Sequence, residues 1–297
     1  MSSIEKVVIG TRGSALALTQ ADITARALRT VNPSIDIEVR IIQTRGDVNF
    51  SPIPLDTIGK GWFTEEIEAA LYAGDIDIAV HSLKDMADEM PEGLCIGAYL
   101  AREDARDALV TKHGETLEEL PHGAVIGTDS ARRQVQMLAL RPDAQMRSLR
   151  GNVNTRLQKL TDESYDAIIL AAAGLKRLGL EDRITRYFEP NEMTPSPGQG
   201  ILAVQMNQGN AALQTLLDLI HDSEATHAAR IERSFSKAIG GGCKSPTGAY
   251  AYRDGSEYVL IGMQENSEGH IVREELRSSV EDSESLGTQL AQKMVGK

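Results

Sequence analysis

The chain of 297 residues contains two cysteines, six histidines and 4% aromatic residues, and each scarcity excludes something. Two cysteines cannot make a disulfide framework, they form no C-x-x-C pair, and the histidines show no ligand spacing. A disulfide-stapled scaffold therefore drops out, a zinc site reads poorly, and a reducing, cytoplasmic setting is the expectation. Few aromatic rings leave few platforms on which nucleobases could stack. A membrane span needs ~18 consecutive apolar residues, and the longest run here, Ala167 to Gly174, has eight. The opening MSSIEKVVIGTR leads straight into a strand-like segment with no apolar signal core, so export is not expected. Positive charge is short as well. The 31 Lys+Arg against 43 Asp+Glu leave a formal −12, whereas a nucleic-acid surface needs a basic field.

What is present is an ordinary globular composition, 41% hydrophobic and 25% charged, long enough for two or three domains. The charge is uneven. Residues 49–100 carry ten Asp/Glu and two Lys, whereas residues 127–177 carry nine Lys/Arg against five Asp/Glu. Seven of those nine are arginines: Arg132, Arg133, Arg141, Arg147, Arg150, Arg156 and Arg177. A local reversal of sign in an acidic protein points to a pocket for a small anion, and arginine forks suit carboxylate or phosphate. Composition alone does not separate this reading from a set of solvated helix faces.

The pattern alternates strand and helix. Lys6 to Ile9 reads as a strand, and Ala15 to about Thr30 as a helix capped by Ser14 and stopped at Asn32-Pro33. Ile35 to Ile42 alternates as a strand, Phe63 to Tyr72 is an amphipathic helix closed by Gly74, and Ile76 to Val80 is a buried strand that delivers His81-Ser82-Leu83-Lys84-Asp85. The pattern restarts with strands at Ala124–Gly127, Met146–Leu149 and Asp166–Leu170 and a helix from Ala131. Ile9-Gly10-Thr11 recurs as Ile126-Gly127-Thr128, and Leu83-Lys84 as Leu175-Lys176, which suggests duplication. This is βαβ logic, giving parallel or mixed sheets whose ligands sit at strand carboxyl ends. Pro195 to Gly200 reads as a hinge or crossover, and residues beyond about 223 as a smaller α+β domain with a helix over Glu224–Ala238.

Candidate chemistry follows from position. Cys243, beside Lys244 and after three glycines, has the setting of a reactive thiolate, whereas Cys95 reads as a buried, inert strand cysteine. Asp85 stands where a carboxylate can stabilise a cation and move a proton, although a helix cap or a Lys84 pair fits the sequence equally well. His81 reads as a satisfied structural histidine. Arg12 with Ser14, and Thr128 with Ser130, place donors at helix starts, as anion sites or as plain caps. No Walker or dinucleotide glycine spacing is present.

Taken together, Gly10-Thr11-Arg12-Gly13-Ser14-Ala15-Leu16-Ala17, Thr44-Arg45-Gly46-Asp47, Gly59-Lys60-Gly61-Trp62-Phe63, His81-Ser82-Leu83-Lys84-Asp85, Arg132-Arg133-Gln134, Arg147-Ser148-Leu149-Arg150-Gly151-Asn152-Val153, Ala173-Gly174-Leu175-Lys176-Arg177-Leu178, Gly198-Gln199-Gly200 and Gly241-Gly242-Cys243 resemble the porphobilinogen deaminase (hydroxymethylbilane synthase) family. The resemblance implies an α/β fold of two similar lobes like type II periplasmic binding proteins, with the active site between them, and a smaller α+β C-terminal domain. The expected boundaries are 1–100 with 200–220, 101–199 and 221–297. It implies a cytoplasmic, monomeric transferase of porphyrin (heme) biosynthesis with no metal, nucleic-acid or membrane partner. The enzyme would join four porphobilinogen molecules head to tail, release ammonia, and pass hydroxymethylbilane to uroporphyrinogen-III synthase. A dipyrromethane cofactor, thioether-linked to Cys243, would prime the chain.

By the same resemblance Asp85 is catalytic and also contacts the cofactor. Lys84, Ser14, Thr128, Ser130, Arg132, Arg133, Arg150 and Gly151 bind the cofactor. Arg12, Ser14, Gln20, Arg150, Arg156, Arg177 and Gln199 meet substrate or the growing chain, and the segment around Lys60 resembles a lid. Each pyrrole carries an acetate and a propionate, which arginine forks suit. Asp129 stands where the family often has Ser, Ala87 where Pro is frequent, and Trp62 where Leu is common, which leaves the contacts around Thr128 and Ser130 open. Arg141 lies outside the shared motifs and is expected to be dispensable. The main rival is a non-catalytic bilobal anion-binding protein; a thiol hydrolase lacks a Cys–His pair.

Overall fold

A computed structural model describes residues 4–45, 64–240 and 246–295. By contact density the chain forms two compact units, residues 1–102 with 201–226, and residues 103–200 with 227–297. No helix among the described residues is long and apolar enough to cross a membrane.

In the first unit, β1 (Lys6–Thr11) leads into α1 (Ala15–Val31), then β2 (Asp36–Ile41), α2 (Glu65–Ala73), β3 (Ile78–Ser82), a 3-10 turn over Leu83–Asp85, and β4 (Leu94–Tyr99). The helix α1 starts where expected because the Ser14 hydroxyl accepts the Ala17 N–H, and it ends at Asn32 before the proline. Ala17, Ala21, Ala25 and Leu28 are buried, and the last three pack with Val7, Ile9, Ile78 and Val80 of the sheet. Gly74 closes α2 in the left-handed region, at φ 71°. Cys95 lies on β4 as expected, but it is half-buried rather than buried, with burial raising its thiol pKa.

In the second unit come β5 (Asp107–Thr111), β6 (Val125–Gly127), α3 (Ala131–Leu140), β7 (Gln145–Arg147), α4 (Val153–Asp162), β8 (Ala167–Ala171), α5 (Ala172–Arg177) and the two-residue β9 (Arg186–Tyr187). The chain then enters the first unit as β10 (Leu202–Asn207), followed by α6 (Ala211–Asp218) and α7 (Ser223–Ala238). The unit boundary falls inside α7. Three antiparallel strands, β11 (Gly248–Asp254), β12 (Glu257–Glu265) and β13 (Ile271–Ser279), precede α8 (Leu286–Val295).

The two large sheets have the same plan. Their orders are β2-β1-β3-β10-β4 and β7-β6-β8-β5-β9. In each, the second strand pairs in parallel with the first and third, and the fourth runs antiparallel to the third. The repeated Ile-Gly-Thr thus sits on equivalent strands, β1 and β6, and the repeated Leu-Lys follows the equivalent β3 and β8. Packing explains the glycines: a Cβ at Gly10 would come within 2.2 Å of Ile76 Cδ1, and one at Gly127 within 3.0 Å of the Tyr165 ring. Leu83 and Leu175 are both buried.

The small C-terminal sheet buries Phe235 and Ile231 of α7 against Leu260 and, from α8, Leu290 and Met294. It is tied to the second lobe by polar bonds. Arg273 of β13 donates to Thr194 Oγ1 (3.0 Å), Gln136 Oε1 (2.9 Å) and the Glu192 carbonyl (2.9 Å).

Candidate active site

In the first unit the candidates collect at the carboxyl ends of β1 and β3, which are adjacent parallel strands. Arg12 and Ser14 follow β1; Lys84 and Asp85 occupy the 3-10 turn after β3. Gln20, buried on α1, donates from Nε2 to Ser82 Oγ at 2.8 Å and ties the helix to that turn. Arg12, Ser14 and Lys84 are half-buried, and Asp85 is exposed. The Asp85 carboxylate makes no hydrogen bond or ion pair among the described residues, so neither the cap nor the Lys84 pair takes it up. His81 is buried, with Nε2 3.1 Å from Gln205 Oε1. Burial lowers its pKa to about 4, the Gln205 bond opposes that shift, and the nearby Arg12 charge adds to it. A neutral, hydrogen-bonded imidazole is the structural histidine the sequence suggests.

In the second unit the candidates follow β6, β7 and β8. Thr128 is buried, and its hydroxyl accepts the Ser130 N–H at 3.2 Å. Ser130 caps α3 by accepting the Arg133 N–H, which leaves its hydroxyl proton for another acceptor. Arg150 is half-exposed, and its Nε donates to Asp129 Oδ2 at 2.6 Å. Gly151 has φ 119°, and a Cβ there would lie 2.8 Å from Thr155, so this turn accepts only glycine without strain. Its carbonyl accepts Arg156 Nε at 2.7 Å. Arg177 donates to the Gly200 carbonyl at 2.6 Å, and burial lowers its pKa to about 10.

Arg132 and Arg133 are each 5% exposed and share one carboxylate, Asp107. Arg132 Nη1 donates to Oδ2 at 2.6 Å, while Arg133 donates to Oδ1 from Nη2 (2.7 Å) and Nε (3.0 Å). Gln199 Nε2 adds a fourth bond to Oδ1 at 2.9 Å. Burial alone would raise the Asp107 pKa, but the two guanidiniums outweigh it and hold the carboxyl well below its usual range. Two positive charges on one negative leave this cluster with a net positive charge.

The arginine-rich segment is therefore not a set of solvated faces. Arg141, expected to be dispensable, pairs with Asp143 at 2.9 Å and donates to the carbonyls of Leu117, Leu120 and Pro121. It pins a loop. Arg147 bonds the Ser164 carbonyl at 2.8 Å. Sequence reasoning missed Asp107 and Glu232. The only hint at Asp107 is a charge opening the otherwise apolar run of β5; Glu232 lies on α7, fully buried, and accepts the N–H groups of Gly198 (2.6 Å) and Ala251 (2.7 Å). Cys243 and the Gly59-Lys60-Gly61 segment lie outside the described residues.

Comparison with known proteins gives this geometry a context. Residues 7–215 match the family model of the porphobilinogen deaminase dipyromethane cofactor binding domain, and residues 226–296 match that of the porphobilinogen deaminase C-terminal domain. A porphobilinogen deaminase of Roseiflexus castenholzii is 46% identical over 290 residues, spanning 97% of this chain and 95% of that one. One from Thermus thermophilus is 44% identical over 96% of this chain and 94% of its own. Among solved structures, the periplasmic aliphatic sulphonate binding protein SsuA of Escherichia coli is similar at 15% identity and a TM-score of 0.40, over 81% of this chain and 76% of that one. With both family models matched in order and relatives this close along nearly the whole length, the chain belongs to the porphobilinogen deaminase family.

Proposed function

We propose that the protein joins four porphobilinogen molecules head to tail, releases ammonia at each coupling, and yields the linear tetrapyrrole hydroxymethylbilane. Membership of the family over almost the entire chain carries this reading. The strand-end residues supply the chemistry it needs.

A dipyrromethane brings carboxylates and pyrrole N–H groups, and the donor set fits both. The second lobe offers the Nη protons of Arg150 and the Ser130 hydroxyl, and the first offers the Lys84 ammonium and the exposed Asp85 carboxylate. In this reading Lys84, Ser14, Thr128, Ser130, Arg150 and Gly151 hold the cofactor. Arg132 and Arg133 support them with a charge that exceeds the one on Asp107. Bound through Cys243, the cofactor supplies the nucleophilic pyrrole carbon to which the first substrate is joined.

Arg12, Arg150, Arg156 and Arg177, with Ser14, Gln20 and Gln199, receive the acetate and propionate of substrate and of the lengthening chain. Loss of ammonia from the aminomethyl group leaves a cation on the substrate. The Asp85 carboxylate, uncommitted among the described residues, stabilises that cation, accepts pyrrole N–H bonds and takes up the proton that the coupled ring releases. His81, buried and engaged by Gln205, has its pKa lowered to about 4 and is a weak base. We further propose that the protein acts in the cytoplasm as a monomer and hands its product to uroporphyrinogen-III synthase.

Intact mass tests the reading. Protein from cells supplied with porphobilinogen should exceed its sequence mass by two deaminated pyrrole units and colour with acidic aldehyde reagent. Cys243→Ser should lose the adduct and all activity, whereas Cys95→Ser should keep both. An unmodified, colourless wild type that leaves porphobilinogen unconsumed would overturn it and favour a plain anion-binding protein.

A further inference from the structure

One carboxylate joins the ends of two neighbouring parallel strands. Asp129 lies in the turn after β6, and Ser148, Leu149 and Arg150 follow β7. Asp129 Oδ1 accepts the Ser148 hydroxyl and the Leu149 N–H (3.2 Å), and Oδ2 accepts Arg150 Nε at 2.6 Å. Three donors from one segment thus converge on a single side chain. The ion pair stays accessible, with 48% of the Arg150 side chain and 30% of the Asp129 side chain exposed.

The way Arg150 is held matters. It is engaged through Nε, and its Nη groups make no hydrogen bond among the described residues, so the edge that grips a carboxylate in a fork is available. Its charge, however, is already matched one to one. Arg132 and Arg133 share a single Asp107 and keep a surplus positive charge, whereas the Asp129–Arg150 pair keeps none.

We propose that Asp129 is a positioning residue that acts through Arg150, orienting the guanidinium by its Nε edge and cancelling its charge so that a ligand carboxylate is held there loosely. The proposal rests on the reading that the ligand is a chain of pyrrole acetates and propionates. A reaction that adds two carboxylates per cycle must shift an increasingly acidic chain past fixed subsites. An arginine without a counter-charge would grip each carboxylate and slow that shift. The resident carboxylate also repels the incoming one, which weakens the hold further.

The test compares the holoenzyme with Asp129→Asn and Asp129→Glu. Asparagine keeps an Oδ1 acceptor for the Leu149 N–H but removes the charge; glutamate keeps the charge. Exposed ion pairs reach about 1 kcal/mol, so KM for porphobilinogen should fall about threefold to fivefold in Asp129→Asn. The same variant should show a lower kcat, more partly elongated enzyme on native gels, and a KM that climbs more steeply with added NaCl. Asp129→Glu should stay close to wild type. In 15N-arginine-labelled holoenzyme, the Arg150 Nε–H signal, assigned by its loss in Arg150→Lys, should be sharp in wild type and broadened in Asp129→Asn. A merely structural role predicts the opposite sign, a raised KM. An unchanged or raised KM in Asp129→Asn, or an Arg150 signal indifferent to it, overturns the proposal. A wild type that does not consume porphobilinogen overturns the functional reading instead.

Discussion

Asp107 should be the costliest polar side chain to alter in the second lobe. It is fully buried and receives Arg132 at 2.6 Å, Arg133 at 2.7 and 3.0 Å, and Gln199 at 2.9 Å. Asp107→Asn keeps the shape but strands two guanidiniums that are themselves 5% exposed. Removing one partner of a buried pair costs about 3–5 kcal/mol. For a unit of this size each kcal/mol moves Tm by about 2–4 °C, so the transition should fall by roughly 6–20 °C. Differential scanning calorimetry at neutral pH measures it, with Glu284→Gln as the control. That variant removes only the exposed pair with Arg230 and should shift Tm by less than about 2 °C. The pH dependence has a definite sign. A carboxyl held below its unfolded pKa of about 3.9 contributes fully above that value and loses its contribution as pH falls through the folded pKa. The gap between wild type and Asp107→Asn should therefore stay constant from about pH 5 to 8 and narrow only in stronger acid. A drop below about 3 °C, or a gap that changes between those limits, would refute the reasoning.

Two further outcomes are expected. Asp85→Asn should still carry the cofactor by intact mass, yet lose turnover by roughly 10²–10³-fold, the scale of one electrostatic stabiliser, and near-normal kcat would show that another group stabilises the cation. His81, with its folded pKa lowered to about 4, stays neutral in the fold while the unfolded chain takes up a proton below about pH 6.5. The first unit should therefore lose about 3 kcal/mol of stability as pH falls from about 6.5 to 4, and His81→Gln should flatten that slope in pH-dependent urea unfolding; an unchanged slope would place the proton elsewhere.

Local chemistry was legible in the sequence where a few adjacent residues decide it. Ser14 and Ser130 start helices because their hydroxyls accept an N–H three residues on, and both caps are where the pattern puts them. Gly74 ends α2 because a left-handed residue is needed there. The repeated Ile-Gly-Thr reports two sheets of one plan because the same strand must pack closely on its neighbour in each. Pairing across long separations was not legible. Strand β10 inserts antiparallel into a sheet whose other members end about a hundred residues earlier, and β9 is only two residues long. Arg132 and Arg133 look like ligand-seeking arginines, and nothing nearby reveals that Asp107, on strand β5, pairs with both. Arg141 reads as dispensable because it lies outside the shared motifs and its carbonyl partners leave no trace in sequence, although Asp143 two residues on is a clue.

The turn over residues 196–200 explains why these second-lobe groups have to be considered together. Glu232 holds Gly198 through its N–H at 2.6 Å, Gln199 reaches both the Ala105 carbonyl (2.7 Å) and Asp107 (2.9 Å), and the Gly200 carbonyl accepts Arg177 at 2.6 Å. A buried carboxylate from helix α7 is thereby linked, through one turn, to the Arg132–Arg133 pair and to Arg177. Groups in one hydrogen-bonded network do not respond independently to substitution. Loss of Gln199 removes one of the donors that orient Asp107 for the two guanidiniums and loosens the turn on which Arg177 rests. Its effect then resembles a weakened arginine cluster as much as a lost ligand contact. Asp85 is different in kind, because it stands exposed on its own strand end with no such network among the described residues. Substitution there reports on chemistry, whereas substitution in the 196–200 turn reports on the placement of several arginines at once.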